Sequence, residues 1–225
     1  IVGYTGNGTS GATVGHGLSS TPEMLIVKNR TTTYDWAVYH KGVASDAETD
    51  VLFLNTTAAA WDDNGYWNDT APTNSVFTIG NYGRVNTSTS NYIAYCWHSV
   101  EGYSKIGKYT GNSNTDGTFV YTGFKPAWII IKHTESIGGD QQYATWSIWD
   151  NKRATSNVVT QATMLTASTN YQEGNRGSNS SSTLDALDML SNGFKIRHTS
   201  YEVGQPGAYI YMAFAERPLK YARAR

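Results

Sequence analysis

The chain contains the same sequence blocks twice, in the same order and slightly more than one hundred residues apart. Residues 3–7 read GYTGN and residues 108–112 read KYTGN, while PEMLIVK begins at Pro22 and PAWIIIK at Pro126. Three further pairs follow: WAVYH with WSIWD, VFTIG with GFKIR, and NYIAYCWH with AYIYMAFA. Because five blocks recur in one order, we interpret the chain as a tandem duplication of one unit. Such a repeat constrains a fold more strongly than local composition does.

The interval between matched positions grows along the chain. It is 105 residues between Tyr4 and Tyr109 and 117 residues between Tyr92 and Tyr209. A changing interval indicates a common framework whose loops differ in length between the two copies. The longer polar stretches, which we predict as loops, are 57–74, 80–90, 134–142 and 168–183.

The repeated blocks are typical of β-strands. Tyr, Trp, Val, Ile and Thr favour a pleated surface, and the Gly, Asn and Ser clusters between the blocks favour turns. We therefore predict an all-β fold of two tandem antiparallel β-sandwiches, jelly-roll or lectin-like, with about seven strands each. The predicted boundaries are 1–106 for the first repeat and 107–225 for the second, which includes a basic C-terminal tail. The longest helix candidate is TLDALDMLS, Thr183–Ser191, of a turn or two.

Bulk composition excludes several classes of function. The net charge is −1, with 17 basic and 18 acidic residues, so no overall field favours nucleic acid. No apolar run reaches transmembrane length, and we expect no membrane insertion. The single cysteine, Cys96, cannot form an intrachain disulfide and is predicted to be buried. The chain opens on Ile1 inside a motif-like segment, which we interpret as a fragment of something longer.

The sequence predicts a protein that is not an enzyme and needs no cofactor. It contains no Gly-X-Ser-X-Gly elbow, and His and Asp are not spaced to nominate a catalytic triad. His40 and Asp150 each follow the repeated Trp by four residues, and we expect them to bind backbone at strand ends. Glycoside cleavage needs two carboxyl groups at a set distance from each other, and the sequence does not give that distance. The carboxylates considered for such a pair are Asp62, Asp63, Asp185 and Asp188.

An acidic stretch without Lys or Arg offers oxygen atoms for a hard cation such as calcium. Its carboxylates are Asp46, Glu48, Asp50, Asp62, Asp63 and Asp69. Because the spacing is not that of a known calcium loop, we predict a solvated acidic loop and no metal site.

An aromatic segment within the same region is the most suggestive surface in the sequence. It comprises Trp61, Asp62, Asp63, Asn64, Tyr66, Trp67 and Asn68. Its aromatic rings have three possible uses: as a lid on the core, as a subunit interface, or as a platform for the apolar face of a sugar whose hydroxyls bind Asp and Asn.

The basic tail contains Arg217, Lys220, Arg223 and Arg225. These side chains either remain solvated or contact an acidic neighbouring subunit.

The blocks YTGN, PEMLIVKNR, DWAVYH, YIAYCWHSVEGYSKIGKYTGN and YIYMAFAERPLKYA resemble a repeat module in virion proteins of tailed bacteriophages, common in phages of marine bacteria including cyanobacteria. The resemblance covers essentially all 225 residues. It implies a rigid tail-fibre or appendage protein on the virion, a homotrimer with other virion proteins as partners, and contact with host surface glycans. It implies no catalytic residues. The alternatives are a capsid decoration protein of the same module and a non-catalytic carbohydrate-binding module.

Overall fold

The protein consists of two compact units whose regular secondary structure is mainly antiparallel strands. The computed structural model describes residues 1–153, 156, 158–174 and 185–217. The units are Ile1–His98 and Ser99–Arg225. Their sheets pack as sandwiches, which confirms the predicted all-β class.

The first unit contains eight strands and one short helix. They are β1 (Val2–Thr5), β2 (Ala12–Gly15), β3 (Met24–Asn29), β4 (Ala37–His40), β5 (Asp50–Phe53), β6 (Trp61–Asp62), α1 (Asn64–Trp67), β7 (Val76–Ile79) and β8 (Asn91–Trp97). The main sheet has the order β1-β8-β3-β4-β5-β6, and β2 pairs with β7 in a second, smaller sheet.

The described part of the second unit contains nine strands. They are β9 (Ser104–Gly111), β10 (Phe119–Tyr121), β11 (Pro126–His133), β12 (Trp146–Asp150), β13 (Val158–Thr160), β14 (Leu165–Thr166), β15 (Asp185–Leu190), β16 (Gly193–Ile196) and β17 (Gly207–Ala215). The main sheet has the order β14-β12-β11-β17-β9 and the second sheet β10-β16-β15-β13. Strand β9 spans residues 106 and 107, where the sequence predicts the boundary between repeats.

The two units share a strand arrangement. In each main sheet the first strand of the unit lies at one edge and pairs with the last strand of the unit. The next two strands of that sheet along the chain then follow, which gives β1-β8-β3-β4 and β9-β17-β11-β12. In each second sheet the strand after the first loop pairs with a later one, as β2 with β7 and β10 with β16. This shared order supports the predicted duplication, which stays a prediction.

The central strands supply the core, as their apolar sequences indicate. Leu25 and Val27 of β3 belong to the core of the first unit. Ile129 and Ile131 of β11 take the corresponding positions in the second. All four are completely buried, and removal of each such side chain from water contributes roughly 1.5–3 kcal/mol.

A stacked pair of tyrosines lies at the same place in both cores. Tyr4 of β1 is opposite Tyr92 of β8, with ring centroids 5.0 Å apart. Tyr109 of β9 is opposite Tyr209 of β17, with centroids 4.9 Å apart. The repeated YTGN block thus places an aromatic ring at the same position of each edge strand.

The hydroxyl groups of the edge-strand tyrosines make matching hydrogen bonds. Tyr4 donates to the carbonyl of Val85 at 2.7 Å, and Tyr109 donates to the carbonyl of Val203 at 2.8 Å. Each bond connects the edge of the main sheet to the loop that precedes the last strand of the unit.

The helix predicted at Thr183–Ser191 is wrong over its described part. Residues Asp185–Leu190 form β15, which lies between β13 and β16. Ala186, Leu187 and Met189 are buried there, because pairing on both sides gives these apolar residues more contacts than a single helical turn would. Residues 183 and 184 lie outside the described residues.

Candidate ligand-binding surface

The aromatic segment predicted as one surface is divided between the surface and the core. Trp61 and Asp62 form β6, where they pair with Val51 and Asp50 at the edge of the main sheet. Trp61 is 44% exposed, and its ring packs against Phe53 with centroids 5.3 Å apart. Of the segment's rings, Trp61 is therefore the one that can meet a ligand.

Tyr66 and Trp67 lie in helix α1 and are buried in the core. The ring of Trp67 packs edge-on against Tyr39, and its Nε1 donates to the carbonyl of Asp50 at 3.0 Å. These two rings offer no surface to a glycan or a subunit. Their placement corresponds to the core-lid alternative.

The polar members of the segment mainly shape the local backbone. Asp63 caps α1, because its Oδ1 accepts the Gly65 N–H at 3.0 Å. Asn68 ends the helix in a left-handed conformation, φ 55°, and its Oδ1 accepts the Ser10 hydroxyl at 2.7 Å. Asn64 is exposed, and its carbonyl accepts the Asn68 N–H.

Three carboxylates of the acidic stretch, Asp46, Asp50 and Asp62, lie close enough at the β5–β6 edge for their charges to interact. Asp50 lies directly opposite Asp62, and burial together with the charges of Asp46 and Asp62 raises the pKa of Asp50. Among the described residues, no group of three or more His, Cys, Asp or Glu side chains is arranged to hold a metal ion.

The strand-end residues His40 and Asp150 bind backbone, as predicted. His40 Nδ1 accepts the Gly42 N–H at 3.0 Å. Asp150 Oδ1 accepts the N–H groups of Lys152 and Arg153 at 2.9 and 3.0 Å. Different side chains thus hold the turn after β4 and after β12.

Two of the four carboxylates considered for glycoside cleavage accept hydrogen bonds within the fold, and the other two are exposed on strands. Asp63 caps a helix, as described, and Asp188 Oδ2 accepts Arg197 Nε at 2.6 Å. Asp62 is exposed at β6, and Asp185 is exposed at the start of β15.

Sequence reasoning missed a surface that the fold assembles around Arg84. We call it the Arg84 surface; it consists of Tyr34, Asp35, Trp61, Tyr82 and Arg84. Tyr34 and Tyr82 are each 41% exposed, similar to Trp61. Tyr34 contacts Arg84 directly, and Trp61 and Tyr82 are connected to it through the buried rings of Phe53 and Tyr66.

The ion pair at the centre of this surface is held firmly. Arg84 Nη2 and Nε donate to Asp35 Oδ2 at 2.8 and 3.0 Å, and Asn55 Nδ2 donates to Asp35 Oδ1 at 2.9 Å. Although partial burial opposes ionisation, the hydrogen bonds from Asn55 and Arg84 hold the pKa of Asp35 below its ordinary value. Asp35 is therefore a carboxylate at neutral pH.

Ring contacts join the exposed aromatics to the core. The Arg84 guanidinium lies 5.0 Å from the Phe53 ring centroid and 5.9 Å from that of Tyr34. Phe53 packs against Trp61 and Tyr66, and Tyr66 packs against Tyr82, with centroids 5.2 Å apart. The rings are thus fixed from beneath, which reduces the entropy lost on binding.

The basic tail can be placed only in part. Arg217 is exposed at the end of the second unit. Lys220, Arg223 and Arg225 lie outside the described residues.

Within the described part of the chain, no helix is long and apolar enough to cross a bilayer.

Comparison with known proteins gives the family of this chain. Residues 1–218 match the family described as a domain of unknown function, DUF7483. The chain belongs to the DUF7483 family. No curated protein and no solved structure matches it. The DUF7483 match extends over both units.

Proposed function

We propose that this DUF7483 protein is a virion structural protein, a component of a phage tail fibre or similar appendage, that contacts host surface glycans through the Arg84 surface. The observation that carries the glycan contact is the connection of three partly exposed aromatic rings to the Arg84–Asp35 ion pair, directly for Tyr34 and through the buried rings of Phe53 and Tyr66 for the other two. The virion role rests on the resemblance of the repeated blocks to phage virion modules.

The chemistry of the Arg84 surface suits a sugar. The exposed faces of Tyr34, Trp61 and Tyr82 can pack against the apolar face of a pyranose ring, while a guanidinium and a carboxylate can bind its hydroxyls. Sites of this kind combine apolar walls with a few fixed polar groups. The two hydrogen bonds from Arg84 and the one from Asn55 fix Asp35 in this way.

A structural role agrees with the contacts that four ionisable side chains make within the fold. His40 and Asp150 hold turns, Asp63 caps a helix, and Asp188 binds Arg197. The homotrimer, the contacts with other virion proteins and the location on the particle are further parts of the proposal. Trimeric assembly is proposed from the usual symmetry of such fibres.

Two related functions share part of this support. A capsid decoration protein would use the same rigid sandwiches, and an electron-microscopy map of the intact particle separates it from a tail component by location. A non-catalytic carbohydrate-binding module would use the same Arg84 surface, and it differs in lacking any place on a virion.

The glycan contact is tested on an array of bacterial surface polysaccharides. We expect saturable binding by the full chain, weakened at least about tenfold, or about 1.4 kcal/mol, by Trp61→Ala, because the largest exposed ring is lost. The matched control is Tyr121→Ala, which removes a ring that is 62% exposed on β10 and distant in sequence from the Arg84 surface. We expect this control to leave binding unchanged.

Binding that survives Trp61→Ala, or that falls equally in Tyr121→Ala, would contradict this assignment. Far-ultraviolet circular dichroism of both variants shows whether each remains folded.

A further inference from the structure

A cleft of about 320 Å³ opens in the first unit between β1, at the edge of the main sheet, and β2, in the second sheet. Its apolar lining includes Val2, Tyr4, Val14 and Ile79, and none of the described residues that line it is Asp, Glu, Lys, Arg or His. Burial raises the pKa of Tyr4, whose hydroxyl donates to Val85, so this ring is neutral at physiological pH. The cleft therefore suits an uncharged, partly apolar occupant.

The backbone of β1 directs hydrogen-bonding groups away from its own sheet. Thr5 lies opposite Asn91, and the Asn91 carbonyl accepts the Arg30 N–H at 2.7 Å on the far side of β8. Since backbone groups alternate in direction along an antiparallel ladder, the N–H and C=O of Thr5 point outward, and those of Gly3 do the same. In the described part of the chain, β1 is the last strand of its sheet.

The edges beside the cleft lack the charged residues and prolines that commonly prevent pairing. Both strands are short, four residues each, but β1 reads VGYT and β2 reads ATVG, with no Lys and no Pro in either. The corresponding edge of the second unit, β9, carries Lys105 and Lys108. The same position in the fold is thus charged in one unit and uncharged in the other.

Asn86 holds the two walls of the cleft in place. This buried side chain accepts the N–H groups of Asn7 and Gly8 at 2.9 and 3.3 Å. It also donates to the carbonyls of Thr9 and Gly80 at 2.9 and 2.8 Å. The loop between β1 and β2 is therefore fixed before anything binds, which lowers the cost of association.

We propose that this cleft binds an extended, uncharged segment of another polypeptide. The segment adds a strand to β1 through the outward groups of Gly3 and Thr5, and alternate apolar side chains enter the cleft between the sheets. This mode of recognition takes its affinity from backbone hydrogen bonds and its specificity from the side chains that fill the cleft.

The test uses the full chain and an acetylated, amidated peptide of alternating Thr and Val, seven residues long. We expect the backbone amide NMR signals of Gly3 and Thr5 to shift on titration. Thr5→Pro removes one outward N–H without removing a backbone bond to β8, although it also removes the exposed hydrogen bond from the Thr5 hydroxyl to Asn91. We expect binding about tenfold weaker. The matched control is Thr110→Pro, at the equivalent position of β9, where Ala208 opposite it bonds to Thr134 in the same way. This control leaves binding unchanged.

A second measurement does not depend on the folding of any variant. The same peptide with an N-methyl group on every residue cannot donate any backbone hydrogen bond to β1, in either strand direction, and we expect its binding to be lost. The proposal is overturned if the unmodified peptide shifts no signals at β1, if it binds Thr5→Pro equally well, or if N-methylation has no effect. It is also overturned if sedimentation shows that a second copy of the chain occupies this edge.

Discussion

Tyrosines that match in the sequence repeat also match in their contacts. Tyr4 and Tyr109 stack on Tyr92 and Tyr209, and each donates its hydroxyl to a valine carbonyl. The repeated blocks predict that these positions correspond. They do not predict the hydrogen bonds, because the accepting carbonyls lie in loops that carry no repeated block.

Lys28 and Lys132 show the opposite behaviour, since matched lysines end blocks of similar sequence but meet different surroundings. Lys28 Nζ donates to the Tyr34 carbonyl and lies 5.9 Å from the Trp36 ring centroid. Lys132 is completely buried, and its Nζ donates to the Ala144 carbonyl at 2.7 Å. The block sequences alone could not distinguish them.

Burial of Lys132 makes stability depend on pH. Desolvation lowers the pKa of Lys132 to about 7 from its ordinary value of 10.5. Between these values the unfolded chain holds a proton that the folded chain lacks, so the free energy of unfolding rises with pH by up to about 1.4 kcal/mol per unit. Urea unfolding across this window checks the slope, and we expect Lys132→Met to remove this contribution. Equal slopes in the two proteins would contradict the account.

At the scale of the element, the sequence predicts the strands that carry repeated blocks, including the four-residue β1 and β7, and misses the shortest elements. Strands β3 and β11 are continuous apolar runs, and their position is evident from composition. The two-residue strands β6 and β14 and the four-residue helix α1 have too few residues for any periodicity, so tertiary contacts decide them.

The Arg84 surface shows the same limit for a site. Its residues come from three separate segments, around Tyr34, Trp61 and Tyr82. The sequence marked Trp61 as a candidate. It could not add the other two segments, because their proximity depends on how β4, β5 and β6 pair and on where the loop before β8 lies.

The chain requires a glycine at the end of each edge strand, Gly6 directly after β1 and Gly111 as the last residue of β9. A Cβ on Gly111 would lie far inside van der Waals contact with the Gln205 carbonyl oxygen, and one on Gly6 would do the same with Thr87. We expect Gly111→Ala to lower the free energy of unfolding by about 1–3 kcal/mol, measured by urea denaturation. Gly139→Ala is the control, since no atom outside the glycine and its local backbone lies within 4 Å of its Cβ position. An equally mild effect of both substitutions would show that the close approach at Gly111 is absent.

At the scale of the whole molecule, we propose that the two units are copies of one scaffold. The strand order in the main sheets, the stacked tyrosines and the close approach at Gly6 and Gly111 all occur once in each unit. Binding functions are then assigned to features that differ between the copies, namely the Arg84 surface and the uncharged edge β1. In this proposal, duplication supplies the framework, and the loops and edges that differ between the units supply the specificity of binding.

Nuclear Overhauser effects between aromatic rings in the full chain test this claim most directly. The account predicts ring–ring effects for both pairs, Tyr4 with Tyr92 and Tyr109 with Tyr209, because both sets of centroids lie about 5 Å apart. Observation of one pair without the other would show that the two halves do not share a scaffold.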